Sequence, residues 1–171
     1  MASPFVVNAA ELLRRPGTQK SVSLSVPIAD LDIADDPRFP ATAEVVVRLE
    51  LESMSDGIVV DGDVSVPWHG TCRRCLADTA GVSVSEVHEL YQRTLTDPDA
   101  FEIVGDQLDL KPIARELVLL DAPSTPLCTP DCRGLCPVCG VNRNETACSC
   151  DGTVTDPRWA ALDQLREQPP N

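Results

Sequence analysis

Eight cysteines carry the chemistry that this 171-residue chain can offer, and they fall in close groups. Cys72 and Cys75 are separated by two residues. Cys128, Cys132, Cys136 and Cys139 follow at short intervals, and Cys148 and Cys150 close the series. Four thiolates satisfy a tetrahedral zinc ion at Zn–S distances of about 2.3 Å, so eight thiols in pairs make two ligand sets. Cys136, Cys139, Cys148 and Cys150 can meet on one ion without help from elsewhere, and Cys136-Pro137-Val138-Cys139-Gly140 has the form of a zinc knuckle. By elimination Cys72 and Cys75 pair with Cys128 and Cys132, clamping the start of the tail onto the middle of the chain.

Other uses of the thiols stay open at this level. Arg73 and Arg74 beside the first pair would favour thiolates and redox chemistry, although no thioredoxin-like βαβ pattern surrounds them. Disulfides and an iron–sulfur cluster are further possibilities, and His69 is an alternative ligand to one cysteine of the first set. A catalytic zinc is disfavoured, because such sites use His or carboxylate ligands and keep an open position. The zinc-deaminase pattern is absent: His88 is followed directly by Glu89, and Pro137 lies inside its Cys pair. No P-loop, dinucleotide fingerprint or nucleophile elbow occurs.

The net charge is −13, and two four-thiolate zinc sites would take it to about −17, a field that repels phosphate and attracts basic partners. Residues 41–70 hold one arginine against six acids, and residues 96–127 two basic residues against seven acids. The cysteine-bearing segments 71–95 and 128–150 are neutral. Arg73, Arg74, Arg133 and Arg143 there are candidate contacts to RNA or to a partner, or simply neutralise the thiolates. No stretch approaches the roughly 18 apolar residues of a membrane span, and the start lacks a secretory pattern. The expected location is therefore the cytoplasm, whose reducing conditions favour metal over cystine. There the Asn144-Glu145-Thr146 sequon carries no meaning.

The elements that must position the cysteines are mostly strands. Val22, Leu24, Val26 and Ile28 alternate with small polar residues, and Val45, Val47, Leu49 and Leu51 alternate with a largely charged set. After Ser55-Asp56-Gly57, residues Ile58, Val60, Val64, Val66 and Trp68 share a face, which predicts an antiparallel hairpin. A further strand is expected over 81–94, with a bulge where its alternation slips after Ser85. Asn8 is expected to cap a short helix over 9–15. Pro112 opens another helix, with Ile113, Leu117 and Leu120 on one face. Asp156-Pro157 opens a third, with Trp159, Leu162 and Leu165 aligned. The expected fold is α+β: predominantly antiparallel β, as a sheet or partly open barrel, with two or three short helices and a Cys-rich zinc-binding C-terminal module. The divisions are a β-rich body over 1–123, a metal-binding tail over 124–155 and a helix over 156–168.

Cys72-Arg73-Arg74-Cys75, the run Leu127-Cys128 to Cys139-Gly140-Val141-Asn142, and Asp156-Pro157-Arg158-Trp159-Ala160-Ala161-Leu162 together resemble the YceD family, the large ribosomal RNA subunit accumulation proteins of bacteria and plastids. The resemblance implies a non-enzymatic role in 23S rRNA accumulation and large-subunit assembly. It also makes the Cys72/Cys75 site the more general element and the 136–150 cluster a lineage addition. A basic large-subunit ribosomal protein or a pre-50S particle is the implied partner, with contact to 23S rRNA possible and neither membrane nor small-molecule substrate involved. A redox-regulated zinc chaperone and a direct RNA-binding zinc protein are the alternative functions.

Overall fold

The computed structural model describes residues 3–151 and residue 158. The expected helix over 156–168 lies outside the described residues, Arg158 excepted. The chain opens with β1 (Val6–Asn8), a 3-10 turn at Leu12–Arg14, β2 (Gln19–Pro27) and a second 3-10 turn at Ile28–Leu31. Three long strands follow: β3 (Glu44–Ser53), β4 (Ile58–Thr71) and β5 (Asp78–Gln92). Short strands β6 (Phe101–Glu102) and β7 (Gln107–Asp109) lead into α1 (Lys111–Asp121).

β2 to β6 form one sheet in chain order, antiparallel except for the short parallel β5–β6 pairing. β1 and β7 form a separate two-stranded ribbon. The sheet is open and does not close into a barrel. Alternation sets its faces: Val45, Val47, Leu49 and Leu51 of β3 and Ile58, Val60, Val64 and Val66 of β4 all point to the core. Onto that face pack α1, the ribbon and the crossover after β2, which contribute Phe5, Leu31, Phe39, Leu108 and Ile113. Each such fully buried aliphatic or aromatic side chain contributes about 1.5–3 kcal/mol. Gly62 interrupts the β4 series for a steric reason. Its φ is +146°, and a Cβ there would lie 2.1 Å from the Arg48 carbonyl oxygen.

Three expectations need correction. The β4–β5 register runs without slip from Ile58↔Tyr91 to Thr71↔Asp78, so β5 has no bulge. Its pattern slips because Ser85 faces the core while Val82 and Val84 face water at 63% and 62% exposure. The segment over 9–15 forms only the short 3-10 turn. Asn8 does accept a bond from the Ala10 N–H at 3.0 Å, but three residues cannot propagate an α-helix. In α1 the buried residues are Ile113, Ala114 and Val118, whereas Leu120 is 70% exposed. Small Ala114 lets the helix settle on that side, turning Leu120 outward.

Arg38 fixes the far end of α1. Its guanidinium donates to the carbonyls of Leu119 (3.1 Å) and Ala122 (2.9 Å), two acceptors at the helix C-terminus. Asp36 braces it at 2.7 Å. Hydrogen bonding to Arg38 holds the Asp36 carboxyl below the usual range, against a smaller opposing effect of burial. The chain therefore leaves α1 along a fixed line toward the first cysteine of the tail.

Candidate metal centres

β4 and β5 outrun their neighbour β3 by several residues, and the two-stranded arm ends in the turn that carries Cys72 and Cys75. In that turn the Cys72 N–H bonds the Ala77 carbonyl (2.8 Å) and the Leu76 N–H bonds the Cys72 carbonyl (2.9 Å). The second CxxC turn has the same pattern. Cys136 N–H reaches the Val141 carbonyl (2.8 Å) and Gly140 N–H the Cys136 carbonyl (2.9 Å). In both turns the residue after the second cysteine is left-handed, with φ of +61° at Leu76 and +73° at Gly140.

Cys72, Cys75, Cys128 and Cys132 come together at the arm's tip, and Cys136, Cys139, Cys148 and Cys150 form a second quartet. Within each, all sulfurs lie within 4.8 Å of one another. In the first quartet Cys72 Sγ is 3.7 Å from Cys132 Sγ, and Cys75 Sγ is 3.5 Å from Cys128 Sγ. A tetrahedral ion with bonds of about 2.3 Å demands sulfur–sulfur edges of about 3.8 Å. The donor set therefore fits one metal ion. All eight cysteines are free of disulfides.

The electrostatics of the quartets point the same way. Burial opposes ionisation of Cys72, but N–H groups of Cys128, Cys75 and Arg74 outweigh it and draw the thiol down to about 6. The neighbouring Cys75 and Cys132 sulfurs, with burial, push Cys128 up to about 12. In the second quartet the N–H groups of Cys139 and Val138 draw Cys136 down to about 6, while Cys139, with burial, pushes Cys150 up to about 12. One thiolate in each cluster discourages the next, and a dication removes that conflict.

The tail is also stitched to the arm by main-chain contacts. Arg73 N–H bonds the Pro126 carbonyl (3.0 Å), and Leu135 N–H bonds that of Arg74 (3.0 Å). Gly134 sits where the two backbones meet. With φ of +71° and a Cβ position 3.0 Å from the Arg74 oxygen, a side chain there would be strained and would crowd Arg74. Arg73, Arg74, Arg133 and Arg143 are all exposed, but Arg74 also donates to the Cys132 carbonyl at 2.9 Å, a structural duty. Arg133 and Arg143 line one pocket with Ala147 and Cys148. His69 is no ligand of the quartet: its Nε2–H donates to the Pro37 carbonyl at 2.7 Å. His88 is exposed on the sheet and pairs with Asp61.

Asn144 joins the two centres, a role that sequence reasoning missed. It sits in the loop between Cys139 and Cys148, yet its Nδ2 donates to Cys132 Sγ of the other quartet at 3.2 Å. Its Oδ1 accepts from the Arg133 N–H at 2.7 Å. A residue of the second quartet's loop thus orients a sulfur of the first, as an outer-shell partner would orient a metal ligand. The sequence signal was an Asn-x-Asn pair inside a cysteine loop, which the sequon pattern hid.

An open antiparallel sheet whose longest hairpin is joined to the tail by a four-sulfur cluster defines a β-sheet protein with two tetra-cysteine centres able to hold metal ions. The family model for the large ribosomal RNA subunit accumulation protein YceD matches residues 60–166, a span that begins in β4 and includes both quartets. The chain belongs to the YceD family. Relatives extend the likeness to nearly the whole length. An uncharacterised protein of Mycobacterium tuberculosis is 31% identical over 190 residues, covering 96% of this chain and 83% of its own. One from Mycobacterium leprae is 27% identical, covering 96% and 79%. The chloroplastic YCED homolog 1 of Arabidopsis thaliana, a large ribosomal RNA subunit accumulation protein, is 36% identical over 62 residues, which are 36% of this chain and 19% of that protein. No solved structure matches the chain. Among the described residues no helix is long and apolar enough to cross a membrane.

Proposed function

We propose that this protein is a non-enzymatic zinc-binding factor for 23S rRNA accumulation and large-subunit assembly, acting by contact with a basic ribosomal protein. The observation that carries this reading is the first quartet, whose sulfurs come half from the β4–β5 arm and half from the tail, within the family-matched span. Closed four-sulfur sets with no further ligand position suit structural zinc, and their metal supplies folding energy rather than a reacting centre. The zinc is held by Cys72, Cys75, Cys128 and Cys132 and by Cys136, Cys139, Cys148 and Cys150. What it supplies is rigidity between arm and tail. The acidic body supports a basic partner by charge complementarity.

The test is depletion and rescue. Loss of the protein is expected to lower 23S relative to 16S rRNA, and native mass measurement of the purified protein is expected to show two zinc ions. An unchanged rRNA ratio on depletion overturns the assembly role; iron or no metal overturns the zinc assignment. Arg133 and Arg143, which share a pocket beside Cys148, favour a second reading in which the tail touches RNA directly. Binding of a 23S fragment that weakens steeply with salt and is lost in an Arg133→Ala/Arg143→Ala variant would support that reading over the first.

A further inference from the structure

The face of the main sheet turned away from the core is organised in rows. Strand register places Glu50, Asp61 and His88 side by side, then Arg48, Asp63 and Glu86. The next row is Val46, Ser65 and Val84, and beyond it Pro67 lies beside Val82 on the arm that leads to the first quartet. Two acidic rows, four carboxylates against Arg48 and His88, thus abut an apolar strip. The polar groups on this face bond to each other: Ser21 to Glu50, Arg48 to Asp63, His88 to Asp61. Among the described residues none of these bonds leaves the sheet.

A sheet face destined only for water alternates cleanly, with polar residues outward. Here β5 does the reverse over its first half, with Ser83 and Ser85 turned inward and Val82 and Val84 outward. Among the described residues β5 is also an open edge over most of its length, because β6 pairs only with Tyr91 and Gln92. It holds neither the proline nor the lysine that usually protects such an edge. At the opposite end of the same face, Val59 and Leu90 share their pocket with Asp97, Asp99 and Ala100 of the following loop, so that end has a neighbour and the valine end has none described.

Resting on the function proposed above, we infer that this face along β5 is the docking surface for the protein partner. The occupant is an extended segment of a basic protein. Its apolar side chains cover Val82, Val84 and Pro67, and its lysines or arginines meet the Asp63–Glu86 and Asp61–Glu50 rows. Complementarity of charge selects the occupant: the acidic rows repel phosphate, so RNA does not lie here. Docking places the partner against the arm that the first metal centre holds rigid.

The experiment uses the zinc-loaded full chain, immobilised, and the total proteins extracted from large ribosomal subunits as probe, with a 23S rRNA fragment in parallel. Two variants keep strand propensity and size: Val82→Thr/Val84→Thr, and Asp61→Asn/Asp63→Asn/Glu86→Gln. Both must retain two metals and the wild-type circular dichroism; if either misfolds, Val84→Thr and Glu86→Gln alone replace it. The expected result is retention of at least one basic protein at low salt, reduced tenfold or more by each variant. Equal retention by wild type and variants, no retained protein, or rRNA binding that the variants abolish overturns the docking face. Rescue of 23S levels in a depleted strain separates the two readings. If wild type and variants rescue equally, the face falls and the assembly role stands; if wild type fails to rescue, the assembly role itself falls.

Discussion

The two CxxC turns bend the backbone alike and differ in everything around it. At the arm's tip Cys72, Cys75 and Cys132 are buried, and the quartet draws its sulfurs from segments more than fifty residues apart in sequence. In the tail, all four sulfurs come from residues 136–150 and Cys139 is exposed. The left-handed position holds Leu76 in the first turn and Gly140 in the second, although glycine takes that conformation at least cost. The difference separates two jobs for one motif. The first centre closes a long loop and bonds the body to the tail; the second shapes its own loop and, through Asn144, presents a hydrogen bond to the first.

The largest effect should come from breaking the bridge. Cys72→Ser is expected to free the tail from the arm and cost several kcal/mol, part of the roughly 10–16 kcal/mol that structural zinc supplies. Cys139→Ser is expected to loosen only residues 136–150. Thermal unfolding and hydrogen exchange of β4 and β5 distinguish the two. With both sites intact, a chelator followed by native mass measurement is expected to remove the metal of the second, less buried quartet first, leaving a one-metal species. Simultaneous loss would mean that the two centres open as one unit.

Asn144→Ala sharpens the comparison, because it lies in the second loop but touches a ligand of the first. Metal affinity at the first centre is expected to fall about 10–100-fold, with the second unchanged, as cobalt titration of the variant would show. The reverse pattern would place Asn144 in the local scaffold alone.

Exchanging the left-handed residues is a smaller perturbation. Gly140→Leu is expected to cost about 1–2 kcal/mol of strain, and Leu76→Gly to be neutral or slightly stabilising, both measured by denaturant midpoint with metal bound. A marked loss on Leu76→Gly would show that the exposed leucine makes a contact that outweighs its backbone strain.

The smallest effect concerns the anchor of the first centre. Arg38 holds Asp36 below its ordinary pKa in the folded state, so the pair contributes stability that is present above the unfolded Asp value of about 3.9. That contribution is lost as pH falls through the lower folded value. Asp36→Asn is expected to cost about 1 kcal/mol at neutral pH and to flatten this acid limb of stability, leaving the second quartet untouched.

Much of this was legible in the residues. Period-two alternation located β2, β3 and β4, because a strand with one buried face must alternate. Close spacing grouped Cys136, Cys139, Cys148 and Cys150, because four thiols within fifteen residues can turn toward one point, and elimination left Cys72 and Cys75 with Cys128 and Cys132. β5 was legible only in outline: its core-facing serines and water-facing valines invert the rule on which the reading depends. The face of α1 was misjudged by its last turn, since small Ala114 counts for little in a hydrophobic pattern but decides how closely a helix approaches a sheet.

By itself the sequence determined β2, β3 and β4, the acidic body and the grouping of the thiols, all consequences of local residue order and of which side chains water rejects. Tertiary structure alone decided that the arm outruns its neighbour strand, that Asn144 reaches across to Cys132, and that Val82 and Val84 share a face with rows of carboxylates. Those facts depend on register and on meetings between segments distant in the chain, where one residue of slip sends a side chain to the opposite face.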